Sequence, residues 1–83
     1  MTFYEHCQVV GIQLLKDDIK HIRSITSNLP YDRRKSVLRG YIDNWVSAMG
    51  ECDCAAQKQN MGRRAANLYL LGVLNEKRNR EMV

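Results

Sequence analysis

The sequence predicts an all-α protein, a three-helix bundle, and three observations lead there. Apolar residues recur at steps of three and four through much of the chain. One proline in 83 residues is too few for the turns of an all-β or loop-rich protein. The two stretches between periodic segments are short, which sets neighbouring helices antiparallel.

The first helix is expected over about 3–26. Thr2 and Glu5 have the T-x-x-E spacing of a capping box, in which the threonine hydroxyl accepts from the Glu5 amide and the carboxylate reaches back. Ile12, Leu15, Ile19 and Ile22 follow on one stripe, with Lys16, Asp17, Asp18, Lys20 and Arg23 mostly on the other faces. Gly11 weakens this helix by about 1 kcal/mol relative to alanine. A break there, or a short strand at 8–14, is the alternative.

The second helix is expected over 29–49. Ser27 or Asn28 can cap it, and Pro30 suits a first turn because its missing N–H costs nothing there. Leu38, Tyr41, Ile42, Trp45, Val46 and Met49 form a broad apolar face, and Gly50 is placed to end the helix in a left-handed conformation. The third helix is expected over 54–79, capped by Asp53 or starting later, near Asn60. Its apolar part includes Ala65, Ala66, Val73 and Leu74. The run Leu68 to Leu71 is wider than one stripe, so this helix should be central or contact something on two sides. The bundle can stand alone or share a helix in a dimer.

The totals bound the function. Eighty-three residues make a single domain, 1–83, that buries about 60–65% of the surface its unfolded chain exposes. So limited a core leaves little room for an enclosed active site. The net charge of +4 resides in the last two thirds of the chain, which can serve solubility or attract an acidic partner. No apolar run approaches the ~18–20 residues of a membrane span. The N-terminal stretch has no signal-peptide pattern. A cytoplasmic protein is expected, with its three cysteines reduced.

No constellation for catalysis stands out. His6, Cys7, Cys52 and Cys54 could surround a zinc ion, but a lone C-x-C is poor spacing for one. The simpler assignment makes Cys7 a packed thiol and the other two loop thiols. His6 and Cys7 are adjacent, so on a helix they diverge by about 100°. His21 has no partner, Asp17 and Asp18 read as a solvated face, and no glycine loop could cradle a phosphate. A protein that is not an enzyme, with neither metal nor cofactor, is expected.

Binding is better supported. Tyr41, Trp45 and Tyr69 are residue types that dominate interfaces, and so small a core cannot hide every aromatic side chain. These three are expected as anchors for a protein partner, with Arg33, Arg34, Arg63 and Arg64 as an electrostatic rim. The alternative is nucleic acid. Arg33, Arg34, Lys35, Arg39, Arg63 and Arg64 would then neutralise phosphates, and Tyr31 would stack on a base.

Two stretches carry a resemblance: Leu29-Pro30-Tyr31-Asp32-Arg33-Arg34, continuing through Val37, Leu38, Tyr41 and Trp45, and then Arg63-Arg64-Ala65-Ala66-Asn67-Leu68-Tyr69-Leu70. Together they resemble a helical segment of temperate-phage replication initiator proteins, and small accessory proteins of phages and prophages. The resemblance covers 29–74 at most and carries over no catalytic residue. It implies a phage or prophage origin and a protein that binds and modulates a larger host or phage complex.

Overall fold

A computed structural model describes the backbone of residues 2–81 and the side chains of 2–76. The described chain is helical: α1 (Phe3–Val9), α2 (Lys16–Thr26), α3 (Tyr31–Glu51), a short 3-10 turn (Ala55–Gln57) and α4 (Lys58–Glu81). The expected first helix is thus two helices, and the described residues form four α-helices where three were expected.

Gly11 makes the break. It is the single described residue with positive φ, at +83°, a conformation cheap only for glycine. Thr2 caps α1 as expected, its hydroxyl accepting from the Glu5 amide at 3.2 Å. The turn shifts the phase of the apolar stripe. Ile12 and Ile22 remain buried, but Leu15, in the linker, is exposed.

α2 opens with a carboxylate reaching back: Asp18 Oδ2 accepts from the Leu15 amide at 2.9 Å. Neither Ser27 nor Asn28 caps α3. Pro30 stands immediately before it in extended conformation, and Arg34 ties the turn instead. Its guanidinium donates to the carbonyls of Thr26 and Ser27, each at 3.1 Å. These are carbonyls at the end of α2 that lack helical partners. Gly50 does not end α3, which continues to Glu51; extended Cys52 follows. The third expected helix starts at Lys58, after the 3-10 turn, rather than at residue 54.

α3 and α4 form the principal pair. Their direction follows from three contacts. Trp45 packs at Gly62, Tyr69 at Gly40, and Arg33 Nη2 bonds Glu76 Oε2 at 3.0 Å, so the helices are antiparallel. α1 and α2 close over this hairpin around Cys7, Ile12, Ile22, Ile25, Val37, Tyr41, Ile42, Trp45, Ala66, Leu70 and Val73. The two glycines are sized for their neighbours. A Cβ at Gly62 would lie inside the Trp45 indole, and one at Gly40 would meet the Tyr69 phenol.

A polar clasp joins α4 to the linker after Gly11. Gln59 accepts from the Gln13 amide at 3.0 Å and from Trp45 Nε1 at 3.2 Å, and donates to the Gly11 carbonyl at 2.8 Å. Arg63 Nε meets Asp18 Oδ2 at 2.8 Å, Nη2 reaches the Gln13 carbonyl at 3.0 Å, and the guanidinium lies over Trp45 at 5.2 Å. Asp18 is therefore a buried structural carboxylate rather than part of a solvated face, and Asp17 alone stays exposed.

Cys7 is fully buried, which pushes its thiol up to about 11. The thiolate is the reactive form, so Cys7 is expected to resist a thiol reagent in native protein near neutral pH. Exposed Cys54 and half-buried Cys52 should react. Denaturation should release the third thiol; rapid native labelling of all three would contradict the packing. The raised value also has a stability consequence. The unfolded thiol ionises first, so stability is full below the ordinary thiol range and declines as pH rises toward 11.

Candidate binding groove

Burial divides the side chains expected to bind. Tyr41 and Trp45 have no exposed surface and cannot touch a partner: they form the centre of the core, their rings tilted at 5.8 Å between centroids. Tyr69 is half-buried over Gly40. The misassignment has a specific cause. Gly62 opposite Trp45 and Gly40 opposite Tyr69 hollow out the α3–α4 contact, and Phe3 and Trp45 flank Tyr41, so the small core holds more aromatic bulk than its length suggests.

The arginine rim is mostly committed as well. Arg63 pairs with Asp18, Arg34 ties the α2–α3 turn, and Arg33 pairs with Glu76 in an exposed bridge worth little energetically. Arg64 is exposed on α4. Of the six basic residues named from the sequence, Arg34, Lys35 and Arg39 line one groove, while Arg33 is paired with Glu76 and Arg63 with Asp18.

A smaller group does converge. Between α1 and the first half of α3 lies a groove of about 550 Å³. Phe3, Leu38 and Ile42 supply its apolar wall, and Arg34, Lys35, Arg39 and His6 its polar rim; Tyr31 and Thr2 complete it. Spacing explains the α3 side: Tyr31, Lys35 and Arg39 are four residues apart and share one face. Tyr31, Lys35 and Arg39 are all exposed, Tyr31 to 74%. The lining includes no aspartate or glutamate.

The opposite wall is α1, which two residues dock. Cys7 is buried, and Phe3 meets the Tyr41 ring edge-on at 6.1 Å and 64°. The contributions of Thr2, Phe3 and His6 were missed from the sequence. They depend on the Gly11 turn folding α1 back against α3, and nothing local to those three residues signals it. A second hollow of about 470 Å³, lined by Tyr4, Cys7, Gln8, Ile12, Gln13, Leu14 and Ile19, carries no charged side chain.

No protein family, curated protein or solved structure compared with the chain matches it significantly. The groove must therefore be judged on its own chemistry. Among the described residues, no three His, Cys, Asp or Glu side chains gather as metal ligands, and no helix is long and apolar enough to cross a membrane. The groove can hold an anion and an apolar group side by side.

Proposed function

We propose that the chain is a small non-enzymatic binding module that takes an acidic segment of a protein partner in the α1–α3 groove. This is the accessory role implied by the likeness to small phage and prophage proteins, with a larger host or phage complex as the target. One observation carries it: the groove sets cations directly beside an apolar wall, with no acidic residue in its lining. Lys35 and Arg39 would pair with carboxylates, and the hollow by Phe3, Leu38 and Ile42 would take an aromatic or aliphatic side chain. Charge would steer the encounter and the apolar residue would hold it.

The second reading is single-stranded nucleic acid, favoured by exposed Tyr31 beside Lys35 and Arg39. About three phosphate contacts would give a shallow salt dependence, with a slope near −2.

The test is fluorescence anisotropy with a labelled acidic peptide carrying one phenylalanine, and with a single-stranded oligonucleotide, each at two salt concentrations. The peptide is expected to bind. The double variant Lys35→Glu/Arg39→Glu should weaken it at least about tenfold, as two charge reversals of roughly 1 kcal/mol each would do. Replacing the peptide phenylalanine by alanine should cost a similar factor. Oligonucleotide binding without peptide binding would favour the second reading. Arg34 is a poor test position because it also ties the α2–α3 turn.

A further inference from the structure

Two rows of side chains run along the groove face of α3 in steps of four. Arg34, Leu38 and Ile42 make one, Tyr31, Lys35 and Arg39 the other, and all six line the α1–α3 groove. Rows at that step are ridges, and a second helix packs by laying a ridge of its own between them. Leu38 is half-buried and Ile42 buried, so the first row is apolar over its second half; Lys35 and Arg39 stand exposed in the second row. From Tyr31 to Ile42 the rows extend about 16 Å, or three helical turns. Lys35 and Arg39 lie one turn apart, about 6 Å along the axis. Carboxylates at i and i+4 of a helix match that spacing. So do carboxylates at every second residue of an extended chain, which repeat at about 6.6 Å. Spacing leaves both forms open, and the backbone decides between them.

The α3 side of the groove offers a partner no free backbone group. Residues 35–42 lie inside one continuous helix, so their amides and carbonyls are already bonded along it. Among the described residues there is no strand whose edge an extended segment could join. An extended segment against Phe3, Leu38 and Ile42 would lose water from its own amides and carbonyls and gain no partner for them, which is costly. A helix bonds its backbone internally and presents only side chains. Resting on the acidic-peptide reading of this groove, we infer that the occupant is an acidic amphipathic helix. Its apolar ridge lies over Leu38 and Phe3, and carboxylates one turn apart on its flank pair with Lys35 and Arg39. The lining holds no aspartate or glutamate to repel them. A segment of this kind that is unfolded when free gains its helix as it binds.

Two glutamate-rich peptides of identical composition, each carrying phenylalanine and leucine, test the inference by fluorescence anisotropy and difference circular dichroism. One sets its apolar residues at steps of three and four with glutamates at i and i+4. The other alternates apolar and acidic residues. The helix-patterned peptide should bind at least about tenfold more tightly, the effect of one unmade backbone bond in its rival, and should gain helical signal in proportion to the complex formed. Proline at a central position facing away from the groove should weaken it about a hundredfold, the penalty of a mid-helix proline. Lys35→Glu/Arg39→Glu should weaken it at least about tenfold, which fixes the site. Equal binding of the two patterns, or a tolerated proline, would overturn the helical occupant and leave the acidic-peptide reading standing. Failure of every peptide to bind, or binding unchanged in the double variant, would overturn both.

Discussion

Gly62→Ala is expected to destabilise the protein by about 2–3 kcal/mol, lowering Tm by roughly 10–20 °C. Helix propensity alone points the other way, favouring alanine by about 1 kcal/mol. Packing wins because the new methyl would lie inside the Trp45 indole. The indole has nowhere to go. It is completely buried, held by Gln59 through its N–H at 3.2 Å, and covered by Arg63. Relief therefore requires α4 to move away from α3, opening the main contact of the fold. Gly72→Ala is the matched control. Its Cβ meets open space, so it should gain up to about 1 kcal/mol. Urea denaturation of both variants reads the difference. Equal stabilisation of the two would mean that α3 and α4 do not meet at Gly62.

Arg63→Ala is expected to cost about 3–5 kcal/mol, because it leaves the Asp18 carboxylate unpaired in a site where its side chain is 5% exposed. It also removes the bond to the Gln13 carbonyl and the cation over Trp45. For a domain of this size such a loss approaches the whole stability. The charge pair itself is not the source of that stability. Replacing both partners, as Asp18→Asn/Arg63→Met, should recover much of the loss, since neither variant then buries a lone charge. A double variant as unstable as Arg63→Ala would show that the bonds to the linker, rather than the unpaired carboxylate, dominate.

These two positions mark where the sequence stops being legible. Local signals read well. Thr2 caps α1, Gly11 interrupts the first periodic stretch, and Pro30 bounds α3. Each acts within a few residues through backbone geometry. The remaining features depend on register between distant segments. That Trp45 is core rather than interface follows from Gly62, 17 residues on, falling opposite it across an antiparallel hairpin. Asp18 and Arg63 are 45 residues apart, and each alone looks like a surface charge. Gln59 gives no signal in the sequence, yet it joins α4 to the linker and to Trp45. Gly50 shows the opposite error: a residue type common just after helices is itself helical here, and α3 ends one residue later, at Glu51.

The groove was half legible. Tyr31, Lys35 and Arg39 share a face by spacing alone, and Leu38 and Ile42 lie beside them. The α1 wall could not be foreseen, because it is placed by a turn and two buried side chains. Once it is in place, the basic stripe gains an apolar neighbour. The proposed peptide-binding role rests on that juxtaposition.

The most direct test of the α1–α3 groove is a two-dimensional 1H–15N spectrum recorded while an acidic, phenylalanine-bearing peptide is added. Concentration-dependent shifts should centre on the amides of Phe3, His6, Tyr31, Lys35, Leu38 and Arg39, and should vanish for Lys35→Glu/Arg39→Glu protein. Shifts confined to α4, or none at saturating peptide, would contradict it.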